Sequence, residues 1–267
     1  MRDVPDLSFE TIKRMEDMTW FTHAQIFDDL LIVSQRETSC YILKTSEGLV
    51  VIDGIWPDER VLEEIKSAIT DAKWDNERIS RFFITHGHID HVGCGKWLVD
   101  NYNVKTYLSE ADDELRRSAQ HEEGRSDCWK EFDIDFFLHD GDRIDCGDKS
   151  ILAVSTPGHT KGCMSFIFPV YDKGEKHMAC IFGGATPPWG DDEGKEIQMQ
   201  SVTKFLDAAK ENGCDVALTN HTAFDCGLER IAYSRARLSN LPNIYVIGED
   251  GVQKFCDVFR RVCKQQV

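Results

Sequence analysis

Thr85-His86-Gly87-His88-Ile89-Asp90-His91 packs three imidazoles and a carboxylate into one short stretch, directly after the run Arg81-Phe82-Phe83-Ile84. That run reads as a buried strand, so the histidines fall on the loop that leaves its end, where rigid scaffolds present functional groups. Neutral imidazole and carboxylate are the ligands of zinc and similar divalent metals. A loop in this position can fold His86 and His88 onto one ion while Asp90 and His91 face a neighbouring one.

A catalytic zinc takes three protein ligands, so each half of the cluster needs one more donor. His159 and His221 are the candidates. His159 lies in the turn Ser155-Thr156-Pro157-Gly158-His159-Thr160-Lys161-Gly162 after the apolar strand Ile151 to Val154, and His221 follows the strand Val216 to Asn220. Histidines in isolation serve as surface hydrogen-bonding groups, but five of them with an aspartate at three strand ends point to metal. His23, His121, His139 and His177 stand in polar contexts and read as bystanders. Asp53, at the end of another strand, is placed to orient the second ring nitrogen of a ligand or to cap its own loop.

The pattern His86-x-His88-x-Asp90-His91, followed by Pro157-Gly158-His159-Thr160 and the late His221, resembles the metallo-β-lactamase superfamily over about residues 28 to 225. In that family's dinuclear layout the resemblance assigns His86, His88 and His159 to the first metal and Asp90, His91 and His221 to the second. Most of the superfamily places a bridging Asp, and one lactamase subclass a Cys, after the strand that corresponds to Met178 to Phe182. Here the sequence reads Gly183-Gly184-Ala185-Thr186, and Ala185 has no ligand atom. This departure argues against close kinship with glyoxalase II, the acyl-homoserine lactonases, ribonuclease Z and the flavodiiron proteins. The third metallo-β-lactamase subclass also lacks the bridging group and carries a turn similar to Thr156 through Phe166, so the resemblance is greatest there.

Coarse periodicity predicts strands at Leu30–Ser34, Cys40–Lys44 and Leu49–Asp53, with Ser46-Glu47-Gly48 as a hairpin turn. A helix follows, with Val61, Leu62, Ile65, Ala68 and Ile69 at helical spacing. Another is expected to start near Gly93, its first-turn N–H groups facing the site. The second half repeats the alternation with strands at 150–155, 164–168, 178–182 and 216–220 and a helix around 202–212. Two mixed sheets face to face with helices outside fit this order, and the resemblance implies an α/β (α+β) αββα sandwich with metals at one sheet edge. The chain is expected to form one domain over 1–267, with a C-terminal helical segment over about 227–267. Val252, Phe255, Cys256, Phe259 and Val262 form a stripe there that covers a core, with a dimer interface as the alternative. The charged segment 110–132, interrupted at Gly124-Arg125-Ser126-Asp127, is read as a solvated helical excursion rather than a lid.

Composition limits the partners. With 267 residues, 41% hydrophobic and 10% aromatic, the chain can bury a substantial core. Lys plus Arg number 31 against 47 Asp plus Glu, a formal charge of −16 that repels phosphate backbones, so nucleic acid is not expected as substrate. No apolar stretch reaches the ~18 residues of a membrane helix. The opening Met1 to Glu10 has no apolar signal core, so a cytoplasmic enzyme is expected, an address at odds with a secreted β-lactamase. The ten cysteines are scattered without a Cys-x-x-Cys pair and read as reduced, with Cys94 and Cys163 near the metals as packing residues.

The expected chemistry follows from the ligands. Two zinc ions, or iron or manganese in their place, lower the pKa of a shared water from ~15.7 towards ~7, and the metal-bound hydroxide attacks a carbonyl. Asp90 is the catalytic residue in this scheme, holding the second metal and orienting the nucleophile. The expected reaction is hydrolysis of a carboxylic ester, lactone or cyclic amide, β-lactams among them. The alternatives are an iron-dependent oxidoreductase of the same fold and a non-catalytic metal-binding module. Ile55, Trp56, Trp189 and Phe224 are candidate apolar walls for a small apolar or aromatic substrate, and Lys161 is a candidate partner for a substrate carboxylate. The sequence leaves the oligomeric state open, monomer or homo-oligomer.

Overall fold

A computed structural model describes residues 21–35, 37–119, 131–188 and 190–265. The expected first hairpin is there: β2 (Leu30–Gln35), β3 (Thr38–Thr45) and β4 (Gly48–Ile52) pair antiparallel, with Ser46-Glu47 between β3 and β4. Their residues are buried on both faces, so they read as apolar runs, and the two-residue period shows only in where each side chain goes. Tyr41, Leu43, Val50 and Ile52 point into one core cluster, while Cys40, Ile42, Leu49 and Val51 point into another.

The first sheet has seven strands, adding β1 (Phe21–Phe27) at one edge and β5 (Ile79–Phe83), β6 (Lys105–Leu108) and β7 (Phe136–Phe137) at the other. From β1 to β4 the pairing is antiparallel, and from β4 to β7 it is parallel. The second sheet runs β12 (Val216–Thr219), β11 (Glu175–Phe182), β10 (Met164–Asp172), β9 (Ser150–Ser155) and β8 (Arg143–Asp145), with β11 and β12 parallel. Strands β1, β6, β7 and β8 are absent from the sequence expectation. They are edge or short strands with exposed positions, and their pairing is imposed by neighbours rather than by their own pattern.

Three buried layers hold the sheets together. Ile32, Leu43, Ile52 and Phe83 of the first sheet meet Phe166, Phe168, Ile181 and Leu218 of the second. On the outer face of the first sheet, helix α1 (Glu59–Asp71) buries the expected Val61, Leu62, Ile65, Ala68 and Ile69, and it is capped by Asp58, whose Oδ1 accepts the Arg60 N–H at 2.9 Å. The outer face of the second sheet packs against α5 (Asp192–Glu211) and α7 (Gly248–Gln265) through Val202, Phe205, Val252, Cys256 and Phe259. This is the αββα sandwich. The stripe on α7 covers core, with Val252, Cys256 and Phe259 buried. Between them α6 (Gly227–Ala236) packs against β1.

Three expectations are corrected here. Helix α5 begins ten residues earlier than its apolar pattern indicated, because its first half buries polar residues: Gln198 donates from Nε2 to the Gly184 carbonyl at 2.8 Å, and Ser201 donates to the Pro157 carbonyl. The helix expected near Gly93 is two pieces, a single turn α2 (Ile89–Val92) that carries Asp90 and His91, and α3 (Gly95–Tyr102). The N–H groups of Gly93 and Cys94 do not face the site; they donate to the carbonyls of Ile55 and Gly54, each at 3.0 Å. Finally, α4 (Glu110–Ala119) is no solvated excursion, since Asp112 and Arg116 are almost completely buried. Residues 120–130, the middle of the segment read as an excursion rather than a lid, lie outside the described residues.

Candidate metal centre

The loop after β5, the turn after β9 and the loop after β12 all end on the same edge of the sandwich. They bring His86, His88 and His159 together as one group and Asp90, His91 and His221 as a second, the donor atoms of each lying within 4.8 Å of one another. His86 Nε2 and His159 Nε2 are 3.1 Å apart, and His88 Nδ1 is 3.0 Å from the same His159 nitrogen. In the second group His91 Nε2 lies 3.2 Å from His221 Nε2 and 3.5 Å from Asp90 Oδ2. The groups adjoin: the rings of His86 and His91 have centroids 4.0 Å apart.

Hydrogen bonds behind the rings decide which nitrogens face inward. His91 donates from Nδ1 to Asp53 Oδ2 at 2.9 Å, which leaves the lone pair on Nε2. Thr85 donates its hydroxyl to the same carboxylate, and the Thr85 oxygen takes the Nδ1 proton of His86 at 3.0 Å. Asp53 thus orients one histidine of each group, directly in one case and through Thr85 in the other. His159 donates from Nδ1 to the Thr186 carbonyl at 2.6 Å. Asn220 closes the network from below, donating from Nδ2 to Asp53 Oδ2 and to the Gly183 carbonyl.

Bare lone pairs converging at about 3 Å have no proton to share among them, and a cation is the group that such a donor set accommodates. Protonation states agree for three of the five histidines. Burial, then the neighbouring imidazoles, depresses His159 to about 3. Burial and His91 hold His221 at about 4 against the opposing pull of Asp90 and Asp53. Burial likewise pushes His86 well below the usual histidine range. For His91 burial also pulls downward, but Asp90 and Asp53 outweigh it and the net shift is upward. Asp90 is itself held low, the nearby imidazoles overcoming the effect of its burial. The residues present therefore fit divalent metal in both groups.

The support for this loop comes from a close backbone approach. Gly54 donates to the His91 carbonyl at 2.6 Å, and a Cβ on Gly93 would stand 2.1 Å from the Ile55 oxygen, so only glycine fits. Asp53 and Ile55 have φ of 63° and 52°, a left-handed backbone that a β-branched residue such as isoleucine adopts only under strain.

A cavity of about 250 Å³ opens over the donors, lined by Glu37, Thr186, Ala223 and Phe224 besides five of the ligand candidates. Larger hollows beside His23 and Asp140 gather no comparable donor group among the described residues. Of the walls read from sequence, Phe224 lines the cavity, its ring 6.4 Å from that of His221. Ile55 does not: its side chain is fully buried in the core under α1, because its carbonyl is tied to Gly93 and the loop runs beneath the metal turn. Trp56 packs against that same core and Lys161 faces solvent, neither of them on the cavity wall. Trp189 lies outside the described residues. Ala185 is buried against α5, and it is Thr186 that reaches His159. Glu37 and Asp112 were missed by the sequence reading, since neither belongs to a motif.

Eight of the nine described cysteines are buried as apolar fillers, and Cys226 is exposed. Nine are described and free; Cys94 and Cys163 are fully buried, and burial raises both thiols. Among the bystander histidines, His23 bonds Glu64 and Asp71, and His177 bonds Asp215. No helix among the described residues is long and apolar enough to cross a membrane.

Comparison with known proteins gives the family and the fold. The family model described as the metallo-beta-lactamase superfamily matches residues 33–172. A subclass B3 metallo-beta-lactamase of Bradyrhizobium japonicum superimposes with a TM-score of 0.74 at 23% identity, over 94% of this chain and 96% of that one. The metallo-beta-lactamase of Legionella gormanii gives 0.74 at 20% identity, over 92% and 96%. Among curated sequences, a hydroxyacylglutathione hydrolase of Gloeothece citriformis is 28% identical over 56% of this chain and 53% of its own length. A probable polyketide biosynthesis zinc-dependent hydrolase of Bacillus velezensis is 24% identical over 48% and 49%. The chain thus spans about half the length of these two curated relatives.

Proposed function

This chain belongs to the metallo-beta-lactamase superfamily, and from that premise we propose that it is a zinc-dependent hydrolase of a small carboxylic ester, lactone or cyclic amide, with two metals held by His86, His88 and His159 and by Asp90, His91 and His221. The observation that carries this reading is the pair of adjoining three-donor groups at the floor of one cavity, with their lone pairs turned inward. When bound, zinc supplies a Lewis acid for the carbonyl and a water acidic enough to ionise near neutral pH.

The chain's own residues do the rest. Asp90, its carboxylate held ionised, accepts from the Thr38 hydroxyl at 3.4 Å and presents an acceptor that orients the attacking water. Phe224 and Ala223 offer an apolar wall to the acyl group, and Thr186 offers a hydroxyl at the rim. The cavity lies below the ~300–1,000 Å³ usual for ligand pockets, which favours a small substrate or one engaged by one end. Similarity of fold to subclass B3 enzymes supports β-lactams among the cyclic amides to be tried.

The test is hydrolysis of a chromogenic cephalosporin, an aryl ester and a lactone by zinc-loaded protein, with His86→Ala as the blank. Metal-dependent opening of any of the three that the variant lacks is the expected result. Tight zinc binding without turnover of any would replace this reading with a non-catalytic metal module, and iron with oxygen uptake would replace it with an oxidoreductase.

A further inference from the structure

All three donors of the first group sit on backbone that a single buried carboxylate holds. Asp112, on α4, is fully buried, and its Oδ2 accepts the Gly87 N–H at 2.9 Å and the Thr160 hydroxyl at 2.7 Å, while its Oδ1 accepts the Gly162 N–H at 2.9 Å. Gly87 lies between His86 and His88, and Thr160 follows His159. The loops are far apart in sequence, and in the described residues this carboxylate is a direct bridge between them. Space at the bridge is tight: a Cβ on Gly87 would stand 2.4 Å from the Asp112 carbonyl oxygen, and one on Gly162 would stand 2.1 Å from Ser109 Oγ.

We infer that Asp112 is a positioning residue selective for the first metal, its carboxylate setting the separation of the His86/His88 loop from the His159 turn. The inference rests on the two-metal reading above. A buried carboxylate is costly unless its oxygens are satisfied, and here three donors converge on it, so ordinary core packing would be served at lower cost by an apolar residue. None of these three bonds goes to a ligand of the second group: Asp90, His91 and His221 are held through Thr38, Asp53 and the loop after β12. The base of α4 is fixed in turn, Arg116 bonding Asp113 and donating to the Phe132 carbonyl at 2.7 Å.

Asn in place of Asp112 turns an N–H₂ towards at least one donor and loses that bond. Thr160→Val removes one donor and keeps the shape, and Thr160→Ser restores the hydroxyl. The experiment is titration of the full-length metal-free protein with zinc against a chromogenic chelator, and with cobalt followed by its visible absorption. Expected is a 10- to 100-fold loss of affinity for one of two equivalents in Asp112→Asn and Thr160→Val, the other unchanged. The cobalt spectrum should follow that of His88→Ala, not His221→Ala, and Thr160→Ser should bind as the parent does. Parent-like binding of both equivalents by Asp112→Asn and Thr160→Val would overturn the inference, and so would equal weakening of both. A parent protein that takes up no metal would instead overturn the two-metal reading on which it rests.

Discussion

Asp53 Oδ2 stands 2.9 Å from His91 Nδ1, and the same carboxylate receives the hydroxyl of Thr85, which in turn holds His86. One aspartate at the end of β4 therefore sets the tautomer of a histidine in each donor group. Asp53→Asn keeps the shape but offers an N–H₂ where protons of His91, Thr85 and Asn220 already point. The variant should lose about 10- to 100-fold in affinity for both zinc equivalents, measured by chelator competition. Weakening of only one equivalent would contradict the shared role.

Asp90 is the only carboxylate among the six ligand candidates. Asp90→Ala should lower kcat on the best ester or cyclic amide by at least about 100-fold, with an unchanged far-ultraviolet circular dichroism spectrum. A variant with full turnover would remove Asp90 from the mechanism.

Without metal, acid should unfold the protein earlier than its carboxylates alone require. His159 and His221 are depressed to about 3 and 4, and His86 lies well below its usual value, so all three are neutral when folded and charged when unfolded below about pH 6.5. The unfolded state then binds more protons, and stability falls as pH drops from about 6.5 towards 4, by up to about 1.4 kcal/mol per unit for each histidine. His91, shifted upward, opposes this, adding stability below about 6.5 that is lost as pH rises through its folded value. His23, raised by its hydrogen bond to Glu64, opposes it in the same sense, but the three strongly depressed histidines outweigh these two and leave a net loss in acid. Urea unfolding in a chelating buffer at pH 7 and pH 5 should show the lower midpoint at pH 5, and equal midpoints would refute the protonation scheme.

The sandwich itself is tested at Phe166, fully buried where the sheets meet and edge-on to Phe83 with ring centroids 5.7 Å apart. Phe166→Ala should cost about 3–5 kcal/mol, read from urea denaturation of the zinc-loaded protein.

The ligand motif and the first hairpin were legible in the sequence because both are local. Metal donors need particular residue types at short spacing on strand ends, and Val61 to Ile69 declare a helix by their own period. Edge strands β1, β6, β7 and β8 were not legible, since their pairing comes from neighbouring chain. Nor was the polar first half of α5, whose Gln198 and Ser201 are buried only because the carbonyls of Gly184 and Pro157 wait there. Ile55 carries the same lesson: its apolar side chain suggested a pocket wall, but the bond from Gly93 to its carbonyl draws it into the core. The sequence by itself determined which side chains can hold metal and which strand ends carry them. Only the tertiary structure decided which nitrogens of His86, His91 and His159 face inward, through Thr85, Asp53 and Thr186, and which carboxylate clasps two distant loops. Those are contacts between residues far apart in the chain, and no local pattern encodes them.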